Sequence, residues 1–260
     1  MTKHKMNASF ARVKEEGKKI FTAYIMAGDG GLHKLKEMIL LLEDAGVTVV
    51  ELGIPFSDPV ADGPVIQEAG KRALAEKVTL TSVLEELASF KNDISIPVVI
   101  MTYANPVFKL GAQTFADKCA EAGVSGVIIP DVPMEEEAEF KEPLSKHEIA
   151  LIRFVTLTSS DERIEETVNG AEGFIYAVTV NGITGARTGF AGDLSDHLAR
   201  IKTKSPVPVL AGFGVSSKEQ AETLGASCDG VIVGSKIVSL LHEGRGHEIK
   251  ELVPGKVGVK

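Results

Sequence analysis

Glu51 and the loop behind it are the residues of this chain whose types and spacing most resist explanation as packing. A β-branched run, Val47 to Val50, reads as a buried strand, and Glu51 closes it ahead of Gly53 and three prolines, Pro55, Pro59 and Pro64, which stop regular structure. The stretch Val49 to Gln67 then carries Ser57, Asp58 and Asp62 on a segment stiffened by proline, so a second or third carboxylate can fold back toward the first. Carboxylates sharing one site can have their proton affinities pushed apart, which yields an acid and a base. The bland alternative is turn chemistry: Asp-Pro and Asp-Gly pairs are common in turns, and a carboxylate at a strand end is usually solvated.

Other strand ends tip the balance. Thr184-Gly185, Gly212-Phe213-Gly214 and Gly234-Ser235 each offer backbone N–H groups unencumbered by side chains, and Ser235 stands at a helix start, where the dipole favours an anion. Tyr24, Tyr103 and Tyr176, the only tyrosines, all fall in or at the end of a predicted strand, and with Phe213 they can wall a flat aromatic ligand. They can equally be the top layer of a core. Lysine is absent from the strand interiors, so acid and base catalysis is simpler than a Schiff base. Cys119 and Cys228 are far apart and without metal spacing, which fits a reducing cytoplasm and suggests neither disulfide nor zinc. The six histidines are scattered and read as surface residues.

These residues must be positioned by a repeating framework. A short amphipathic helix is expected over Ala8 to Glu16, then a first strand over Ile20 to Met26 closing in Gly28-Asp29-Gly30-Gly31. Leu35, Met38, Ile39 and Leu42 repeat with helical period before Gly46 stops them and the second strand begins at Val47. Further strands are predicted over Ile96 to Thr102, Gly126 to Ile129, Ala150 to Leu157, Gly173 to Val180, Pro208 to Ala211 and Gly230 to Val233. Helical patterns separate them, with capping boxes read at Ser82 and Glu85, Ser159 and Glu162, and Ser216 and Glu219. The segment Asn181 to Gly189, dense in glycine, is expected to be a long mobile loop.

Eight strands, each followed by a helix, in 260 residues match a closed α/β (β/α)8 barrel, the TIM barrel, here with an extra N-terminal helix. An open doubly wound sheet would call for a dinucleotide fingerprint that Gly28-Asp29-Gly30-Gly31 does not have. No linker or composition shift divides the chain, so residues 1–260 are read as a single domain. In such a barrel the strand ends converge on one face, and loops after the seventh and eighth strands are the usual phosphate site. The formal net charge of −8 argues against nucleic acid or an anionic membrane as partner. The start of the chain lacks an apolar signal core, and the longest strongly apolar run, Met38 to Leu42, is far short of a membrane span.

At this point the residues resemble a known family. The run Glu51-Leu-Gly-Ile-Pro-Phe-Ser-Asp-Pro-Val-Ala-Asp-Gly-Pro64 is similar to the signature of the tryptophan synthase alpha subunit family. The likeness continues at Ala27-Gly28-Asp29, Met101 to Pro106, Pro130 to Pro133, Gly182 to Gly185, Gly212 to Ser216 and Val233 to Ser235, across nearly the whole chain. The resemblance implies reversible retro-aldol cleavage of indole-3-glycerol phosphate to indole and glyceraldehyde 3-phosphate, late in tryptophan biosynthesis. By family correspondence Glu51 protonates indole C3, and Asp62 accepts the indole N–H and remains ionised. Phosphate contacts transfer to Gly185, Gly214, Gly234 and Ser235, apolar contacts to Tyr24, Tyr103, Tyr176 and Phe213, and Thr184 to ordering the lid. Where many members carry serine and arginine before the glycine-threonine-glycine segment, this chain has Thr179-Val180-Asn181. The family implies a beta subunit as partner in an alpha2-beta2 heterotetramer, with pyridoxal phosphate in that subunit and no cofactor or metal in this chain. The rival readings are a free-standing indole-glycerol-phosphate lyase, a non-catalytic regulatory barrel, and a different phosphosugar enzyme such as an epimerase.

Overall fold

The computed structural model describes residues 2–179, 191–212 and 214–255. The strands are β1 (Ile20–Met26), β2 (Val49–Gly53), β3 (Val98–Met101), β4 (Gly126–Ile128), β5 (Ala150–Leu151), β6 (Arg153–Thr156), β7 (Ile175–Val178), β8 (Val209–Gly212) and β9 (Gly230–Val233). All pair in parallel, in the order β5-β4-β3-β2-β1-β9-β8-β7-β6. The two outer strands of that order are the halves of one predicted strand, separated only by Ile152. Before Ile152 the stretch pairs with β4; after it, Arg153 takes up register with Ile175 of β7. One broken strand therefore closes the ring, which is why eight predicted strands appear as nine and the architecture is the expected TIM barrel.

Around the ring lie α1 (Thr2–Glu15), α2 (Leu35–Asp44), α3 (Pro64–Ala75), α4 (Leu80–Phe90), α5 (Ala104–Leu110), α6 (Ala112–Glu121), α7 (Ala138–Lys146), α8 (Asp161–Val168), α9 (Ala191–Lys204), α10 (Lys218–Ser227) and α11 (Ser235–His242). The period of two along the strands sorts side chains between the barrel interior and this helical shell. On β6 and β7, Phe154 and Tyr176 face inward and touch with ring centroids 5.1 Å apart. Val155 and Ala177, one residue on, join Ile164 of α8 and Leu198 and Ile201 of α9 in the outer core.

α1 begins earlier than its sequence pattern suggests. It buries Met6, Phe10 and Val13 on one face, and Phe10 meets Phe174 edge-on at 6.3 Å, just before β7. That places α1 at the N-terminal ends of the strands, leaving the C-terminal ends free for chemistry. Pro64, read as a breaker, instead opens α3 at its first position, where its missing N–H would have had no partner.

Three predicted caps shift along the chain. Thr79 and Ser82 form the box before α4, Ser160 caps α8, and Ser217 caps α10. His197 departs from the surface reading: it is buried on α9, with its ring Nε2 3.0 Å from the carbonyl of Thr156.

Candidate active site

Glu51 does not stand at the end of its strand. β2 starts two residues later than expected and runs to Gly53, so Glu51 pairs with Tyr24 of β1 on one side and Val99 of β3 on the other. Ladders on both sides carry it into the barrel, where it is 3% exposed and its Oε2 has no hydrogen-bond partner. Removing a carboxylate from water penalises its charged form. Burial first, and the charge of Asp62 second, push the Glu51 carboxyl up to about 8.

Asp62 arrives from the loop after β2. The sequence left Asp58 and Asp62 both open as the second acid, and the fold separates them: Asp58 is exposed and accepts from the Ser57 hydroxyl, while Asp62 is buried in the same cavity as Glu51. The Asp62 amide donates to the carbonyl of Pro59 at 3.2 Å, and its own carbonyl receives the Gln67 side-chain amide at 2.9 Å. Burial raises its carboxyl to about 6, against a hydrogen bond from the Tyr103 hydroxyl that favours the anion. Two neighbouring carboxyls thus differ in proton affinity, with the deeper one holding its proton to higher pH.

The cavity has a volume of about 200 Å³, and Tyr24, Ile128, Pro130, Phe154 and Tyr176 supply its apolar walls. Tyr24 leans over Gly53, where an added Cβ would lie 2.0 Å from its hydroxyl oxygen, and Tyr176 leans over Gly212 in the same manner, at 2.3 Å from its ring. Glycine is required at both strand ends because an aromatic ring occupies the space of a side chain. The buried hydroxyl of Tyr24, like Glu51 Oε2, is without a partner and belongs to a residue lining the cavity.

Tyr103 sits differently from its expected place in the aromatic wall. It lies behind the loop, stacked on Phe56 at 5.1 Å, and its hydroxyl accepts the Ala61 N–H at 3.1 Å.

Gly214, Gly234 and Ser235 also line the cavity, at the ends of β8 and β9. Gly214 adopts a φ of +87°, a left-handed backbone suited to glycine. Gly234 precedes α11 without any side-chain cap, and the first amide with a partner in the helix ladder is that of Val238, 3.0 Å from the Gly234 carbonyl. The amides of Ser235, Lys236 and Ile237 are left over at the positive end of the helix. The neighbouring α10 differs: Ser217 caps it, and the Gln220 side chain takes up the amide and hydroxyl of Ser216. Thr184, Gly185 and Phe213 lie outside the described residues, as does the loop Asn181 to Gly189. Among the described residues no group of three or more His, Cys, Asp or Glu side chains could hold a metal ion.

The family model described as tryptophan synthase alpha chain matches residues 10–256. The chain belongs to that family. It is 52% identical over 260 residues to the tryptophan synthase alpha chain of Oceanobacillus iheyensis, covering 100% of this chain and 99% of that one. To the Bacillus cereus alpha chain it is 50% identical over 249 residues, covering 96% and 95%. Among solved structures, the tryptophan synthase alpha subunit of Legionella pneumophila superposes with a TM-score of 0.86 at 30% identity, covering 95% of this chain and 96% of that one. The Mycobacterium tuberculosis tryptophan synthase gives 0.87 at 31%, covering 97% and 98%. As a member of that family this protein is a lyase of tryptophan biosynthesis.

The sequence reading missed Phe154, Ile66, Gln67 and Lys236. Phe154 was legible in principle, since it lies inside a predicted strand at a position beside Tyr176. Gln67 was not: its contact with the Asp62 carbonyl depends on the turn between them.

Proposed function

We propose that this cavity cleaves indole-3-glycerol phosphate reversibly into indole and glyceraldehyde 3-phosphate, with Glu51 as the acid and Asp62 as the anionic partner of the indole N–H. The observation that carries the reading is the pair of buried carboxyls of unequal proton affinity, about 8 and about 6, facing uncapped amides across one cavity. Near neutral pH the first is protonated and the second largely ionised.

The chemistry follows from those states. Glu51 gives its proton to indole C3, and the positive charge that develops on the ring nitrogen is held by the Asp62 carboxylate. The bond from C3 to the glycerol carbon then breaks, its electron pair returning to the ring, while the adjacent hydroxyl loses its proton to Glu51 and becomes the aldehyde. Glu51 ends the cycle protonated, as it began. Tyr24, Tyr176 and Phe213 wall the indole. Gly185, Gly214, Gly234 and Ser235 bind the phosphate through backbone amides and a hydroxyl, and Thr184 orders the lid.

The reading extends to a beta subunit as partner in an alpha2-beta2 assembly in the cytoplasm, with pyridoxal phosphate held there and no cofactor in this chain. Among the described residues no helix is long and apolar enough to cross a membrane. The deciding experiment adds indole-3-glycerol phosphate to the purified chain and follows indole release, with and without a beta subunit. Release that requires Glu51 and rises with the partner is expected. Absence of indole under both conditions overturns the reaction, and full turnover by the chain alone overturns dependence on the partner.

A further inference from the structure

Tyr103 lies outside the cavity lining yet touches the functional loop at two points. Its ring is 1% exposed and stacked on Phe56, with 29° between the planes, so the hydroxyl is held at a fixed height below the loop. That oxygen accepts the Ala61 N–H at 3.1 Å, one residue before Asp62, and the hydroxyl favours the anionic form of the Asp62 carboxyl. The backbone on the far side of Asp62 is fixed independently, by the Gln67 amide on the Asp62 carbonyl. Tyr103 is also the residue that leads into α5, whose first amide, that of Ala104, is received by Asp131 from the loop after β4 at 3.0 Å. The hydroxyl is therefore anchored to two strand ends before it meets the loop.

We propose that Tyr103 is a positioning residue that holds Asp62 in its working orientation and in its anionic form, one hydroxyl fixing both the chain and the carboxylate. The inference rests on the assignment of Asp62 as the anionic partner of the indole nitrogen and gives that assignment its mechanical support. A hydrogen bond to a charged acceptor is among the stronger ones, and losing it costs roughly tenfold or more in the population of the correct state. The titratable groups facing Asp62 are Glu51 from β2, Tyr24 from β1 and Tyr176 from β7. Asp131 stands near Tyr103, and Lys236 lies on the cavity wall made by α11. Tyr103 is distinct among them in that its hydroxyl holds the backbone next to Asp62, through the Ala61 N–H, and lowers the proton affinity of the Asp62 carboxyl.

The test compares Tyr103→Phe with Gln67→Leu in indole release from indole-3-glycerol phosphate across pH 5 to 9, with thermal melts as a folding control. Tyr103→Phe removes the proton donor and keeps the stacked ring, so kcat should fall about tenfold near neutrality and the acid limb of the profile should move to higher pH. Gln67→Leu frees the backbone and keeps the donor, so the rate should fall without displacement of that limb. An acid limb unmoved in Tyr103→Phe, or moved equally in both variants, overturns the proposal. Asp62→Asn separates the two levels: if it retains full activity the assignment of Asp62 has failed, whereas if it is inactive while Tyr103→Phe matches the parent, only the role of Tyr103 has failed.

Discussion

The two walls of the cavity are built by opposite strategies. On the side of β1, β2 and β3 the proposed working groups are side chains, Glu51 and Asp62, sunk among packed residues and perturbed by loss of water. On the side of β8, β9 and α11 they are backbone amides, freed by glycine and by the absence of a helix cap. Proton transfer needs groups whose affinity can be tuned by environment, so it calls for burial. Holding a phosphate needs several donors of fixed direction and no proton traffic, which the main chain supplies without side-chain entropy.

The largest test of that contrast is to neutralise the acid wall. Glu51→Gln and Asp62→Asn preserve shape and should each lower kcat by about 10² to 10⁴, the usual range for a proton-transfer group, with KM changed little. Near-normal turnover in either variant would mean that the buried wall does no chemistry.

A change of profile comes next. With Glu51 protonated below about 8 and Asp62 ionised above about 6, kcat/KM should be bell-shaped with limbs at those values. A single limb would show that only one of the two acids matters.

The amide wall is sharpened by Ser235→Asp. A carboxylate at the start of α11 complements the helix dipole, so the protein should melt slightly higher, by the equivalent of about 0.3 to 1 kcal/mol. The same charge should repel the phosphate and raise KM roughly tenfold or more. Stability and affinity moving in opposite directions is the outcome to look for; an unchanged KM would remove the phosphate from this wall.

The smallest effect concerns stability and pH. Folded Glu51 keeps its proton up to about 8, well above its ordinary 4.5, so between those values the folded state binds more protons than the unfolded one. Stability should therefore decline as pH rises through that window, and Glu51→Gln should flatten the decline. The checking measurement is the difference in melting temperature between pH 5 and pH 9, expected to shrink by a few degrees in the variant.

The same contrast explains what could be read from the chain. The barrel was legible because apolar strands and periodic helices recur eight times, and β1 and β9 have the predicted limits of Ile20 to Met26 and Gly230 to Val233. The amide wall was legible because glycine doublets at strand ends have few structural uses. The depth of Glu51 was not, since it depends on ladders from β1 and β3 that local sequence does not contain. Caps failed for a related reason: the hydroxyl neighbours Ser159 and Ser160, or Ser216 and Ser217, can each serve, and the exit of the preceding strand chooses between them. Tyr103 was read as wall because strand ends usually point inward, whereas its hydroxyl had been drawn under the loop.

The interruption at Ile152 has a mechanical consequence. β5 contributes only two residues to its ladder, so the circle is stapled least firmly at this joint. Arg153 spans that joint, its guanidinium gripping Glu137 ahead of α7 while donating to the carbonyls of Thr167 and Asn169 at the end of α8. It acts as a rivet. Amide protons of β5 should be the earliest of the barrel to exchange with deuterium, and breathing at this seam would loosen Phe154, one residue away, along the flank of the cavity.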